Sequence, residues 1–502
     1  MRRAIATVAA LASVLLLGAC SSPTPGPSTT AAPVTMSAPQ QVQRPVIKAG
    51  AEHPNFVFVL ADDYAMNLVK HMPQLQKMQV DGRTMNKHFV VNSLCCPSRS
   101  SIFTGRYPHS TGVFTNAGTD GGISGFHHYG DQKHCFAVAM QKAGYRTAFM
   151  GKYLNGYIPQ TMKPEPGWDE WVTGGGGGYA ELGYTLNENG VPRHYGHRPQ
   201  DYMVDVLSRK AAGFIRDTAP TGQPFMLEVA TYAPHDPYVP PKRYVGTMAH
   251  VPYPRTPAWN ATVQDAPKWL RGHYPLTSRE KAEIRRDWER RLEADLAIDD
   301  LIGNLRKQVA ASGIERDTYV VFTSDNGLHM GEYRLTPGKE TAFDTDVQVP
   351  LVVTGPRVPA GTSTDLMSSS IDIAPTFLDL SGVGTDPKAD GVSAAPLWLG
   401  QQPKHWQQAV LLEHHHRQGV PGDPDLQNKR GADPPGYAAV RTKDSLYVRY
   451  ADGEQEYYDL RHDPYELHDR VKAGVPSNLV RALHRLTTCS GRAQCQAAAR
   501  LG

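Results

Sequence analysis

Two apolar runs constrain this chain more than any other feature. "NFVFVL" leads into Asp62 and Asp63, and "TYVVFTS" leads into Asp325 and Asn326. Both are rich in β-branched and aromatic residues, the composition of a strand buried on its two faces. Each run stops abruptly at an acidic or amide pair. In open α/β sheets, functional groups gather at the carboxyl ends of strands. Two strands that each deliver such a pair can converge on one site.

The segments between them alternate. "CFAVAMQKAGYRTAFMGKYLNGY" reads as helix, turn at Gly144, strand, and a loop carrying Lys152. "DYMVDVLSRKAAGFIRD" has the spacing of an amphipathic helix, and "PFMLEVATYAPHDPY" reads as a strand running into a proline-flanked loop with His235. "SREKAEIRRDWERRLEADLAIDDLIGNLRKQVAASG" predicts a long helix with one charged, solvated face. The expected class is α/β, a large mixed sheet sandwiched by helices. The last hundred or so residues differ: "AVLLEH", "YAAVRT", "SLYVRY" and "EYYDL" predict a smaller, mostly antiparallel α+β unit with a final helix.

The N-terminus reads as an export signal. "MRR" is basic, "AIATVAALASVLLLGA" is apolar, and Cys20 follows in "LGAC". That ending resembles a bacterial lipobox, which implies a lipid anchor at Cys20 and a protein held on the outer face of the cell membrane. Residues 21–48, rich in Pro, Ser, Thr and Ala, cannot bury enough apolar area to fold and read as a tether. The net charge of +3 and the lack of a Lys/Arg block argue against nucleic acid as a partner.

Asp62, Asp63, Asp325 and Asn326 form an all-oxygen donor set, which suits Ca2+ or Mg2+ rather than Zn2+. A lone Asp-Asp pair is ordinarily a turn or helix cap. Two pairs at strand ends shift the balance toward a metal. "NSLCCPSR" adds a second element, because Pro97 suits the first turn of a helix. Cys95 would then lie just ahead of a helix N-terminus, where backbone N–H groups attract anions, with Arg99 about one turn on. That arrangement suits a nucleophile and an anionic substrate.

The residues Cys95-Cys96-Pro97-Ser98-Arg99, followed by "SSIFTGRYPH", resemble the first signature of the sulfatase family; "GYRTAFMGKYLNGY" resembles the second. The likeness continues in order through "APHDP", "SDNG", "VPLVVTGP", "IDIAPTFLDL", "DGVS" and "YYDLRHDPYE". It is nearest to the N-acetylglucosamine-6-sulfatase-like members in "LCCPSR", "GKYLN" and "PGWDEW". It implies an alkaline phosphatase-like fold; together with the leader at 1–20 and the linker at 21–48, the expected organisation is a catalytic domain at 49–400 and a C-terminal subdomain at 401–502. It implies oxidation of Cys95 to formylglycine by a formylglycine-generating enzyme. In such sulfatases one hydroxyl of the hydrated aldehyde attacks sulfur, and the second then expels sulfate and regenerates the aldehyde. It implies Asp62, Asp63, Asp325, Asn326 and modified Cys95 as ligands of one Ca2+, with Mg2+ the alternative. Arg99 would support the hydrated aldehyde, Lys152 and Lys339 would bind sulfate oxygens, and His235 would act at the leaving oxygen. The substrate would be a sulfated sugar. One departure stands out: Leu154 replaces a histidine found in many members, and Asn155 follows it.

Several bland readings accompany these. His329 is a weak candidate for substrate contact, the "EHHH" cluster at 413–416 has poor metal spacing for a strand, and Trp168 and Trp171 read as core. Of the six cysteines, Cys489 and Cys495 are expected to close a small disulfide loop; Cys96 and Cys135 are left over, and spacing alone does not decide whether they are bonded. The five-glycine run after Trp171 reads as a loop. The rivals are a phosphonate or phosphodiester hydrolase of the same superfamily and a catalytically dead carbohydrate-binding lipoprotein.

Overall fold

Strict period-two alternation along the first apolar run decides how the layers assemble. Val57, Val59 and Ala61 belong to one core cluster, and Phe56, Phe58 and Leu60 to another. The strand therefore feeds two cores, one on each face of its sheet. In the computed structural model, which describes residues 44–416, 423, 425, 426 and 430–501, it is β1 (Asn55–Ala61). Four further strands run parallel to it or to one another: β2 (Arg146–Lys152), β3 (Glu170–Gly174), β4 (Phe225–Ala230) and β5 (Thr318–Ser324). Their spatial order is β5-β1-β4-β2-β3, and shorter strands, some antiparallel, extend both edges to ten.

Helix α1 (Cys95–Thr104) packs on one face, its Ile102 and Phe103 in the same core cluster as Phe56 and Phe58. On the other face lie α2 (Met203–Thr218) and α3 (Ser278–Ala311), which contribute Leu207, Ile215, Trp288 and Ile298 to the core. Thr277 caps α3 in a reciprocal arrangement with Glu280, satisfying amide groups that a helix start leaves orphaned. A second, four-stranded antiparallel sheet follows: β6 (Ala409–His414), β7 (Tyr437–Thr442), β8 (Ser445–Tyr450) and β9 (Gln455–Asp459). It is covered by α4 (Ser477–Leu486), and α5 (Arg492–Ala498) ends the chain. The α/β sandwich and the smaller antiparallel unit are thus as the sequence predicts.

Cys489 and Cys495 form the expected disulfide. Cys96, within α1, and Cys135 do not pair; both are free thiols buried in the same core cluster. Trp168 and Trp171 are core residues, and Trp171 stacks on Phe149. Among the described residues no helix is long and apolar enough to cross a membrane. Cys20 and the first part of the linker lie outside the described residues.

One core position makes a testable demand. Glu228 lies in the middle of β4, paired across the sheet with Phe58 and Phe149, and is fully buried. Its carboxylate oxygens have no hydrogen-bond partner among the described residues. Burial pushes its carboxyl up to about 8, against an ordinary 4.5. The folded protein therefore keeps a proton that the unfolded chain releases. Stability from this group is complete below about pH 4.5 and is lost as pH rises to about 8, at about 1.4 kcal/mol per pH unit. Glu228→Gln is expected to flatten this window in denaturant titrations across pH. Identical pH slopes for the two proteins would contradict it.

Candidate functional site

The register of the central sheet builds the site. Ala61 and Ser324 are partners at the ends of β1 and β5, so Asp62–Asp63 and Asp325–Asn326 emerge side by side. β2 ends at Lys152 itself, which is therefore a strand residue and not a loop residue. β4 ends five residues before His235. Cys95 arrives from α1, of which it is the first residue rather than the one ahead of it. Gly105 ends this helix at φ +69°, a backbone conformation that glycine adopts at little cost. Lys339 comes from the segment after β5. All nine expected residues are buried, none more than 5% exposed.

Their side chains interlock. The Cys95 thiol donates to Asp62 Oδ1 at 3.3 Å, and Lys339 Nζ donates to Cys95 Sγ at 3.0 Å and Asp63 Oδ1 at 2.5 Å. Lys152 Nζ pairs with Asp62. Arg99 Nε donates to Asp325 Oδ2 at 2.8 Å and its Nη1 to the Lys152 carbonyl at 2.7 Å, with Nη2 3.8 Å from Asp62 Oδ1. Asn326 Nδ2 donates to Asp63 Oδ1 at 2.6 Å. His235 Nε2 lies 3.6 Å from Asp63 Oδ2.

Electrostatics follow from this pairing. Burial disfavours the charges of Arg99, Lys152 and Lys339, but the neighbouring carboxylates outweigh it and keep all three protonated. Burial also works against the His235 imidazolium, yet Asp63 and Asp425 raise it to about 9. The Cys95 thiol moves the other way: burial, then Asp425 and Asp62, hold it well above its ordinary value. A bare thiolate nucleophile is therefore disfavoured at this position.

Ligand atoms of Asp62, Asp63, Cys95 and His235 all lie within 4.8 Å of one another, a group that does not include Asp325. The oxygen donors of that group, the two carboxylates, are the ones that suit a hard cation. Asn326 Oδ1 is buried and has no hydrogen-bond partner among the described residues, although its amide nitrogen is fully used. An orphaned buried carbonyl oxygen beside carboxylates is what Ca2+ or Mg2+ would satisfy.

Two participants carry no signal in the sequence. Asp425 accepts from His235 Nε2 at 2.6 Å and pairs with Lys339 Nζ at 2.8 Å. Its carboxylate thus engages two of the expected site donors at once. Asn116 accepts from the Cys96 amide at 3.0 Å and donates to Asp425 Oδ2 at 2.6 Å, tying the start of α1 to that carboxylate. Neither lies in a strand-end pair or a periodic segment.

The weaker candidates separate cleanly. His329 is fully buried, held by Asp346 through Nδ1 and the Gly431 carbonyl through Nε2, so it is a structural histidine. His415 stacks on Phe114 and His416 pairs with Asp433, so "EHHH" is not one cluster. Gly174, Gly175 and Gly176 line a cavity of about 420 Å³ together with Lys152, Asn155 and Asp423; the glycine run is a wall beside the site. A second cavity, about 670 Å³, opens on His235, Lys339 and Asp425. A larger one, about 1190 Å³, lies beside Thr318 at the other end of the strands and includes none of the nine residues.

Comparison with known proteins agrees with this geometry. The family model described as Sulfatase matches residues 54–383, and that described as N-sulphoglucosamine sulphohydrolase, C-terminal, matches 331–490. An N-acetylglucosamine-6-sulfatase of Capra hircus is 30% identical, covering 88% of this chain and 85% of that protein. An N-acetylglucosamine-6-O-sulfatase of Bacteroides thetaiotaomicron is 24% identical over 84% of this chain and 83% of its own length. Among solved structures, a protein in complex with its substrate D-glucosamine-2-N,6-O-disulfate superposes with a TM-score of 0.72 at 22% identity, covering 89% of this chain and 98% of that one. A phosphonate monoester hydrolase of Silicibacter pomeroyi reaches 0.66 at 21% identity, with 87% and 94% covered.

Proposed function

The chain belongs to the sulfatase family, and from that premise we propose that it removes sulfate from a sulfated sugar, with 6-sulfated N-acetylglucosamine as the favoured substrate. The observation that carries this reading is that Lys339 donates to Cys95 and His235 lies in one group with Cys95, Asp62 and Asp63, while Lys152 and Arg99 hold the strand-end carboxylates Asp62 and Asp325. The relatives named for N-acetylglucosamine 6-sulfate support the choice of sugar.

Asp62, Asp63, Asp325 and Asn326 would hold a divalent cation, which supplies Lewis acidity to a sulfate oxygen. Formylglycine made from Cys95 would supply a hydrated aldehyde as nucleophile. The remaining roles belong to the encoded side chains. Lys152 and Lys339 place two ammonium groups at the nucleophile, where they neutralise charge that grows on sulfate oxygens. His235, raised to about 9, carries its Nε2 proton at neutral pH and can deliver it to the departing sugar oxygen. Its Nδ1 proton is fixed on the Asp236 carbonyl at 2.7 Å, which orients the ring. Arg99 holds Asp325 and the end of β2 in place.

The test is the mass of the tryptic peptide "HFVVNSLCCPSR", residues 88–99, from protein made in a host with the modifying enzyme. An aldehyde or its hydrate at Cys95, together with sulfate release from N-acetylglucosamine 6-sulfate, is the expected result. Two thiols in that peptide would remove the nucleophile from the scheme. Faster turnover of a phosphonate monoester than of any sulfate ester would redirect the assignment.

A further inference from the structure

Two consecutive carboxylates at the end of a strand would point to opposite faces if the backbone stayed extended. Here both reach one centre: Asp62 meets Cys95 and Lys152, while Asp63 meets Asn326 and Lys339. The chain achieves this by turning sharply at Asp63, which has φ +60°, a left-handed conformation that residues other than glycine seldom adopt. Something must hold that turn.

Three bonds do so. The Asp63 amide donates to Asp325 Oδ1 at 3.1 Å, and the next amide, of Tyr64, donates to Ser324 Oγ at 2.8 Å. The third comes from α3, on the face of the sheet opposite α1. There Arg291, fully buried, donates from Nη2 to the Asp63 carbonyl oxygen. Its Nη1 donates to Met330 Sδ at 3.2 Å, and its guanidinium lies 5.9 Å from the Tyr238 ring centre. Asp295, one turn further along α3, is also buried. A core helix position needs only an apolar residue, and burying a guanidinium is expensive unless it performs a task. The task in view is to satisfy the carbonyl that the Asp63 turn leaves inside the protein.

We propose that Arg291 is a positioning residue for the metal centre: it fixes the left-handed turn at Asp63 and so sets the affinity of the site for a divalent cation. The inference rests on the metal-dependent reading above and concerns a residue that touches neither cation nor substrate. Residues that orient ligands in this way typically contribute about 10–100-fold to metal affinity.

The experiment uses the full chain, freed of metal with chelator, and Ca2+ alone as the probe in titration calorimetry. Arg291→Met, which keeps bulk but has no donor, is expected to weaken Ca2+ binding by about 10–100-fold. Arg291→Lys keeps a charged donor and is expected to recover part of that loss. Melting in chelator shows whether each variant is folded before calcium is added. Wild-type affinity in folded Arg291→Met overturns the proposal while leaving the metal reading intact. If the wild type itself binds no Ca2+ or Mg2+, the metal reading fails and takes the proposal with it. Should Arg291→Met not fold, Arg291→Lys decides alone: a measurable weakening supports the role and an unchanged affinity refutes it.

Discussion

Cys95→Ala is expected to lower turnover of a sulfate ester by a factor on the order of 10⁴ or more, because it removes the atom that attacks sulfur. The rest of the site should survive the change. Cys95 is fully buried at the first position of α1, and alanine fits the same helix without new volume. The side chain lost is small, so the fold should lose no more than about 1–2 kcal/mol. Cys95→Ser separates the two chemistries that a nucleophile here could use. A simple hydroxyl could be sulfated once but has no second hydroxyl with which to expel sulfate, so it should trap rather than turn over. The unmodified thiol is no substitute, since burial with Asp425 and Asp62 beside it keeps it protonated. Sulfate release followed by ion chromatography, with melting curves as a control for folding, measures both variants. An alanine variant that turns over at the wild-type rate would sink the assignment of Cys95.

Arg99→Met should be the most damaging single change to stability at the site, at about 3–5 kcal/mol. The guanidinium is fully buried and donates to Asp325 and to the Lys152 carbonyl. Removing it leaves the Asp325 carboxylate buried without its counter-charge and the end of β2 without its donor. Lys152 would lose its placement beside Asp62, so turnover should fall along with stability. Arg99→Lys keeps the charge but not the fork that reaches two acceptors at once, and should recover stability more than activity. Denaturant titration and sulfate release on the same preparations check the prediction. A methionine variant as stable as wild type would show that Arg99 is not the counter-charge that keeps Asp325 in the interior.

Much of this was legible from residue order because it depends on local patterning. A short apolar run rich in β-branched and aromatic residues and stopped by an acidic or amide pair reads as a strand buried on both sides, so β1 and β5 and the pairs behind them follow from the chain itself. The signature around Cys95 is local too, as are the alternating strands β6 to β9 and the short loop between Cys489 and Cys495. Whether Cys96 and Cys135 pair was not legible, because counting leftover cysteines says nothing of distance; the fold buries both as free thiols in one core cluster. His329, reasonable by its place after Asn326, proved to be spent on Asp346.

What the sequence by itself determined was the set of chemical groups, the strands that carry most of them and the family they match. The tertiary structure decided which groups share a charge. Asp425 and Asn116 lie 309 residues apart and meet through a 2.6 Å bond beside His235. Arg291 reaches Asp63 across 228 positions. Side-chain pairing at that range depends on where helices and loops settle against the sheet, and that is fixed by burial summed over the whole core rather than by any short stretch of residues. Burial suppresses the Cys95 thiol, while the carboxylates that the fold brings together keep His235 and the two lysines protonated against it.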